Sequence, residues 1–263
     1  MSESTEIPGL TGRMYLYERP ELLTKELHGE LALKAAEKPF AFAAKARAIP
    51  ITYGEVAAAM REYPLIFMSA EQPQLLAVTG IYDDVNLFVR EDGKWADFSY
   101  VPGYVRRYPF GLAAENNGER MAVVIDRGYE GFGGEGRPLF DNGAPTEDTR
   151  NAIEYCKNYE RDRALTAQFT NKMNELGLIQ QQSALYTPPG STQQTAFAQY
   201  HGIDEQRFME LPDDKILELR KMNFLPLVYA VLLSMNNWRV LLQRRAKRFN
   251  LTDENIFKPL SVS

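Results

Sequence analysis

Residues 65–81 read LIFMSAEQPQLLAVTGI, and this stretch decides the fold class of the chain. Two apolar runs, LIFM at 65–68 and LLAVTGI at 75–81, are joined by a polar six-residue loop. Short apolar runs bounded by turn residues are typical of buried strands, and a short connection pairs two such strands antiparallel. The stretch therefore predicts a β-hairpin in an antiparallel sheet.

The chain upstream of this hairpin also reads as β structure with one short helix. Residues 48–52 predict a strand at the edge of a sheet, because Pro50 lacks the N–H that a central strand needs. Residues 53–62 predict a short helix that ends before Pro64. Further upstream, residues 14–17 predict a first short strand, and residues 1–12 a flexible arm.

Two further hairpins are predicted downstream, each at a dipeptide that ends in glycine. Asp92-Gly93 separates residues 86–89 from 94–95, and Asn117-Gly118 separates 110–114 from 121–125. Asp-Gly and Asn-Gly are strong hairpin signals because both central residues of the turn need positive φ. Successive hairpins build an antiparallel sheet.

The pattern changes to a helical period after Pro145. Thr146 is a suitable N-cap and Gly177 a suitable residue after a C-cap, which predicts one helix of about 30 residues between them. Residues 185–186 and 197–200 predict a small hairpin around a Pro-Pro-Gly-Ser turn, and residues 213–222 and 226–245 predict two more helices. The apolar run at 224–235 is shorter than the roughly 20 residues of a membrane span, so we expect a buried helix without membrane insertion.

The predicted fold class is α+β. An antiparallel sheet built from successive hairpins occupies residues 13–145, and helices from residues 146–263 cover it. The two parts are expected to pack as one unit, because two halves this complementary are not expected to fold independently.

Composition narrows the function classes. The net charge of −5 argues against nucleic acid as a partner, because binding to phosphates needs a basic face. The single cysteine, Cys156, excludes an internal disulfide. The first six residues, MSESTE, lack the basic and apolar regions of a signal peptide. We therefore expect a cytoplasmic protein, export without a leader, or a place in a viral particle.

No stretch of the chain indicates a catalytic residue, a cofactor or a metal. Residues 131–136 match G-x-G-x-x-G, but Arg137 and Pro138 follow instead of a helix, so a glycine-rich loop is the interpretation. Cys156 lies on the apolar stripe of the long predicted helix, where a core cysteine is expected. The acids Asp83, Asp84 and Asp126 are interpreted as structural or solvated.

Two basic clusters could bind acidic groups. Residues 100–110 read YVPGYVRRYPF, and here Tyr104, Arg106, Arg107 and Tyr108 are the candidate binding residues for an acidic ligand or protein tail. Alternatively, the two arginines pair with local acids while the aromatic rings anchor the segment. The cluster Arg244–Arg248 suits a helix C-terminus, or peripheral contact with an anionic membrane or an acidic partner.

The chain resembles the SapC family of bacterial proteins from about Met14 to Leu242. The block Arg106-Arg107-Tyr108-Pro109-Phe110 is its most specific part. The other resembling residues are Tyr53–Glu55, Glu62–Phe67, Asn86–Val89, Gly93–Trp95, Tyr100–Pro102, Gly136, Pro138–Phe140, Gly202, Asp204, Glu205, Leu211, Leu227–Tyr229 and Leu232–Ser234. The resemblance implies bacterial surface-layer biology and carries over no catalytic residue.

The leading functional hypothesis is a non-enzymatic structural or assembly protein of SapC type. It would be an oligomeric subunit of a larger, surface-layer-like or viral assembly, with protein partners or copies of itself. The alternatives are an accessory binding module that recognises an acidic ligand or protein, and an enzyme with unrecognised carboxylate chemistry.

Overall fold

The computed structural model describes residues 14–114, 120–187, 192–252 and 255–260. The helices are α1 (Lys25–His28), α2 (Val56–Ala59), α3 (Gly103–Arg106), α4 (Glu147–Glu175), α5 (Glu205–Met209), α6 (Asp213–Lys221), α7 (Leu225–Ser234) and α8 (Asn237–Phe249), with 3₁₀ turns at Ala41–Ala43 and Tyr53–Glu55. The strands are β1 (Pro20–Leu22), β2 (Ala32–Leu33), β3 (Ala48–Pro50), β4 (Leu65–Phe67), β5 (Leu75–Val78), β6 (Phe110–Ala114), β7 (Met121–Asp126), β8 (Phe132–Gly133), β9 (Arg137–Pro138), β10 (Phe140–Asp141), β11 (Ala144–Pro145), β12 (Ile179–Tyr186) and β13 (Thr195–Ile203). The α+β fold class is confirmed.

The described residues form two compact units, each built from several stretches of the chain. The first unit comprises the residues up to Ala43, Glu91–Lys94 and Tyr104–Arg161. The second unit comprises Ala44–Arg90, Trp95–Gly103 and the chain from Asp162 onward. The division at residue 145 and the packing of its two parts as one unit stay predictions, and the arm at residues 1–12 lies outside the described residues.

A five-stranded antiparallel sheet forms the second unit, in the order β12-β13-β4-β5-β3. The hairpin predicted at residues 65–81 is β4–β5, with Leu65 opposite Ala77 and Phe67 opposite Leu75. Every residue of β5 is buried, as expected for a strand between two neighbours. β3 lies at the edge, which confirms the position that Pro50 predicts.

Two predicted hairpins differ from the structure in length. The pair β12–β13 is longer than predicted, because β12 reads IQQQSALY and its polar side chains hide a strand in which burial largely alternates. The strands β12 and β13 also join the N-terminal strands β3–β5, so the sheet is not confined to the first 145 residues. The hairpin predicted at Asp92-Gly93 is reduced to a single bridge between Val89 and Trp95.

Helices α7 and α8 replace the single helix predicted at residues 226–245. The helix is interrupted at Met235 and Asn236, and the side chain of Asn237 donates to the carbonyls of Met60 (2.7 Å) and Tyr63 (3.1 Å). The segment Leu225–Phe249 is long and apolar enough to cross a membrane by length and composition, but half of its apolar window is buried inside the protein. Core helices of soluble proteins meet the same criterion.

The first unit holds small antiparallel sheets. One has the order β1-β7-β6, one the order β8-β2-β9, and β10 pairs with β11. The strand predicted at residues 14–17 is wrong: the positive φ of Leu16 (68°) is incompatible with extended backbone, and the first strand begins at Pro20. The predicted hairpin at 110–125 is confirmed as β6–β7, while its turn at Asn117-Gly118 lies outside the described residues.

The glycine-rich loop joins two short strands, which confirms its interpretation. Gly136 is followed by β9 and not by a helix, so no helix N-terminus is available for a pyrophosphate. Gly136 has a φ of 121°, and a Cβ there would stand 2.6 Å from the carbonyl oxygen of Leu33. The loop therefore needs glycine for strand packing.

The long helix α4 begins and ends as the caps predict. The hydroxyl of Thr146 accepts from the amide of Thr149 (3.4 Å), and Gly177 has a φ of 67°. In the first unit, Cys156 of α4 is fully buried in a core with Phe110, Ile125 and Leu139, which confirms the core cysteine. Burial raises the pKa of its thiol to about 11.

Candidate functional site

The segment 100–110 divides between the two units, and residues 100–103 belong to the second. There the buried carboxylate of Glu55 accepts from the hydroxyl of Tyr100 (2.9 Å), the amide of Gly103 and the amide of Thr52 (2.9 Å). This anchor was missed from the sequence, although Thr52-x-x-Glu55 is a recognisable capping-box pattern. Glu55 thus fixes the start of the segment.

Arg107 lies inside the first unit, with only 4% of its side chain exposed. Its guanidinium carbon lies 4.1 Å from the ring centroid of Tyr104 and 4.6 Å from that of Tyr159, and Nη1 donates to Glu160 (3.1 Å). Burial alone would lower the pKa of Arg107, but the phenols and the carboxylate around it raise that pKa above the ordinary value. Arg107 therefore pairs with a local acid, as the alternative interpretation expects.

Tyr108 contacts a different buried group, the carboxylate of Asp126. The Tyr108 hydroxyl donates to Oδ2 of Asp126 (3.0 Å), and its ring stacks on Phe42 with centroids 3.7 Å apart. Asp126 is fully buried and also accepts from the amides of Glu18 (2.8 Å), Arg19 (2.8 Å) and Gly128 (2.9 Å). Four donors thus stabilise the carboxylate, which confirms its structural interpretation.

Arg106 is the exposed member of the candidate set. Its guanidinium carbon lies 5.5 Å from the ring centroid of Tyr155. The structure thus brings Tyr104 and Arg107 together, places Tyr108 at Asp126 and leaves Arg106 at the surface. Their role in binding an acidic ligand stays a prediction, and Arg106 is the most exposed member of the set.

Substitution of the adjacent arginines separates their roles. Arg107→Met should lower the free energy of unfolding by about 3 kcal/mol, because it removes the buried guanidinium that pairs with Glu160, whose side chain is only 15% exposed. The matched variant Arg106→Met should change it by less than about 0.5 kcal/mol. Urea denaturation of both variants measures the difference, and equal losses would contradict the distinct environments of the two side chains.

The basic cluster Arg244–Arg248 directs much of its hydrogen bonding inward, within the second unit. Arg245 is fully buried and donates to Asp83 (2.9 Å), to the carbonyl of Ile256 (2.6 Å) and to that of Lys258 (2.7 Å). Its two neighbours are also engaged: Arg244 donates to the hydroxyl of Ser99 (3.1 Å), and Arg248 to the carbonyls of Val89 (2.6 Å) and Asn86 (3.1 Å). Contact with an anionic membrane stays a prediction.

An exposed apolar surface lies on α7. Pro226, Tyr229 and Leu233 follow one another at spacings of three and four residues, which places them on one face of the helix. Tyr229 is 50% exposed and Leu233 is 57% exposed. No charged residue occurs in the sequence between Lys221 and Arg239. We call these three residues the α7 face.

The described part of the chain contains, among its cavities, one in each unit that could hold a small molecule. One, of about 190 Å³ in the first unit, is lined by Leu33, Phe110 and Leu139, with Arg137 paired to Asp148 (3.0 Å). The other, of about 580 Å³ in the second unit, lies between β12, β13 and α8. Among the described residues, no three His, Cys, Asp or Glu side chains are grouped to hold a metal ion.

Comparison with known proteins identifies the family. The searches of curated proteins and of solved structures gave no match. The family model described as SapC matches residues 23–241, which is most of the chain. This confirms the resemblance carried by residues 106–110 and the other quoted blocks. The chain belongs to the SapC family.

Proposed function

We propose that this chain is a non-enzymatic structural or assembly protein, a subunit of a larger, surface-layer-like or viral assembly. The observation that carries the proposal is the exposed α7 face. A helix that is apolar on both its buried and its exposed sides is expected where the exposed side is covered by another surface.

The partner on the α7 face is a second copy of the same chain. A two-fold interface places the same patch on both subunits, so a charged patch would meet its own charge. The sequence between Lys221 and Arg239 carries no charge, and the α7 face therefore meets a copy of itself without repulsion. Tyr229 would be the central contact, since tyrosine is enriched among the residues that dominate interface energy, and Leu233 would pack beside it.

Introduction of a charge at this surface tests the assembly. Leu233→Lys should weaken self-association about 100-fold or more, because two lysines would meet across the interface. Sedimentation velocity over a wide range of protein concentrations measures the effect. Met68→Lys is the matched control, since it adds the same charge at an exposed apolar residue outside α7.

Two results would contradict the proposal. One is a wild-type protein that stays monomeric at the highest concentrations tested. The other is an equal loss of association in Leu233→Lys and Met68→Lys, which would show that the α7 face has no special part in the interface.

An accessory binding module is the second candidate. The observation that favours it is the exposed Arg106, whose guanidinium could form charge-assisted hydrogen bonds with a carboxylate. Arg106→Met should then abolish the capture of an acidic peptide and leave the melting temperature unchanged. Retained capture would count against this candidate.

A further inference from the structure

The cavity of about 580 Å³ in the second unit has the size and the lining of a small-molecule site. Ligand pockets usually measure roughly 300–1,000 Å³ and combine apolar walls with a few polar groups. The apolar walls here come from Leu185, Phe197, Leu242 and Ile256. Thr187, Arg239 and Gln243 supply the polar groups.

Aromatic packing holds the walls of this cavity in place. Phe197 packs edge-to-face on Trp238, with ring centroids 5.9 Å apart. Phe257, next to Ile256, packs on Tyr186 (5.3 Å) and on Phe197 (6.0 Å). The buried Arg245 binds the carbonyl of Ile256. These contacts hold residues 255–260, the C-terminal segment, against one wall of the cavity.

The α8 residues of the lining differ in polarity from one end of the cavity to the other. Arg239, Leu242, Gln243 and Ala246 line the cavity at helical spacings, so they form one stripe. The stripe starts with a charged residue and ends with alanine, about 10 Å further along the helix axis. The α8 side of the cavity thus runs from the charged Arg239, past Leu242 and Gln243, to the apolar Ala246.

Arg239 is the single charged residue in the lining, and it has no ion-pair or hydrogen-bond partner among the described residues. It lies in the first turn of α8, where the helix dipole also favours an anion. An apolar cavity with one exposed guanidinium that no described residue pairs with suits a ligand that has one anionic group and an apolar chain. Thr187 and Gln243 also line the cavity, and their side chains can donate hydrogen bonds to a polar ligand group.

We propose that this cavity binds a straight-chain carboxylate of medium length, with its carboxylate on Arg239 and its chain directed towards Ala246 and Ile256. The α7 face contributes no residue to the cavity, so this site is independent of the proposed assembly. A distance of about 10 Å along the stripe suits a chain of the length of decanoate.

Calorimetric titration with decanoate, below its micelle concentration, tests the site. We expect saturable binding by the wild-type protein. Arg239→Gln should weaken it about tenfold, the usual loss for one charge-assisted hydrogen bond. Decanol, which has the chain without the charge, should bind equally to both proteins, and acetate should bind to neither. Lys247→Gln, an exposed neighbour outside the cavity, is the matched control.

Tryptophan fluorescence locates the bound chain. The protein has two tryptophans, and Trp238 packs on the cavity wall through Phe197. Decanoate should therefore change the emission of the Trp95→Phe variant but not that of Trp238→Phe. Filling the cavity with Ala246→Phe should abolish binding, and Leu185→Trp does so from an exposed position if Ala246→Phe fails to fold.

Three results would overturn the proposal. The first is no saturable binding of decanoate. The second is an equal loss of affinity in Arg239→Gln and Lys247→Gln, which would indicate general attraction of anions. The third is unchanged affinity in a folded variant whose cavity is filled.

Discussion

Replacement of Arg245 by methionine is expected to lower the free energy of unfolding by about 3–5 kcal/mol. The side chain of Arg245 is fully buried and donates to Asp83 and to two carbonyls of the C-terminal segment. Methionine fills a similar volume but leaves the carboxylate of Asp83, which is only 13% exposed, without its cation. An unpaired charge at this degree of burial is among the costliest single defects in a folded protein.

Urea denaturation measures this loss, and Lys247→Met is the matched control. Lys247 lies two residues further along α8 and is exposed, so its removal should change the free energy of unfolding by less than about 0.5 kcal/mol. A double-mutant cycle with Asp83→Asn should then recover part of the loss, because the second substitution removes the orphaned charge. A loss below about 1 kcal/mol in Arg245→Met would contradict the buried ion pair.

The proteolytic sensitivity of the C-terminal segment, residues 255–260, reports locally on the Arg245→Met variant. Asp83 also accepts from the amide of Leu260 (2.7 Å), so both members of the pair hold this segment. In Arg245→Met we expect limited proteolysis to cleave first near residues 255–260. Cleavage elsewhere at the same rate would show that the ion pair stabilises the second unit as a whole.

The elements that sequence reasoning predicted well are those fixed by neighbouring residues. The hairpin β4–β5 follows from two apolar runs with a short loop, and α4 follows from its caps at Thr146 and Gly177. In both cases the hydrogen bonds that define the element join residues close in the chain. The local sequence pattern is then enough to predict the element, because the pattern of apolar residues and the backbone preferences favour the same structure.

The outcome at Arg106 and Arg107 could not be predicted in this way. Arg106 is the last residue of the single helical turn α3 and Arg107 follows it directly. Successive side chains at the end of a helical turn point about 100° apart. Which of the two faces the core depends on Tyr159 and Glu160, which come from α4. The sequence therefore indicates two adjacent basic residues, but only the packing of the fold determines that Arg107 is buried and Arg106 is exposed.

The contacts of Asp126 depend even more on residues that are distant in the sequence. Two of its four donors are the amides of Glu18 and Arg19, more than a hundred positions away in the chain. Backbone N–H groups carry no residue signature, so no pattern of residue types indicates such an anchor. Only the pairing of β1 with β7 brings these amides to the carboxylate.

Asp126→Asn is expected to lower the free energy of unfolding by about 2–4 kcal/mol. Asparagine has the same shape, but one of its two terminal atoms is an NH₂ donor. Oδ1 can still accept from the amides of Arg19 and Gly128. The NH₂ group would then face the backbone amide of Glu18, which can only donate and would lose its acceptor. The hydroxyl of Tyr108 can instead rotate and accept from the NH₂ group.

Tyr108→Phe is the matched control for this substitution. It removes one of four donors and leaves the carboxylate with three, so the expected loss is about 1 kcal/mol. Because the hydroxyl of Tyr108 relieves the asparagine variant by turning, the double variant should lose more than the sum of the two single losses. A sum that is simply additive would contradict the rotation of the Tyr108 hydroxyl.

Cys156 reports on the opening of the first unit. The thiol is fully buried in the core that contains Ile125, the neighbour of Asp126. Burial also raises the pKa of the thiol to about 11. A thiol reagent therefore reacts with Cys156 only when this core opens. A loss of about 3 kcal/mol in Asp126→Asn should raise the rate of labelling about 100-fold in native buffer.

The same measurement of Cys156 labelling in Arg245→Met distinguishes two cases. Faster labelling of Cys156 would indicate that the two units open together, whereas an unchanged rate would indicate that the first unit stays folded when the second is destabilised.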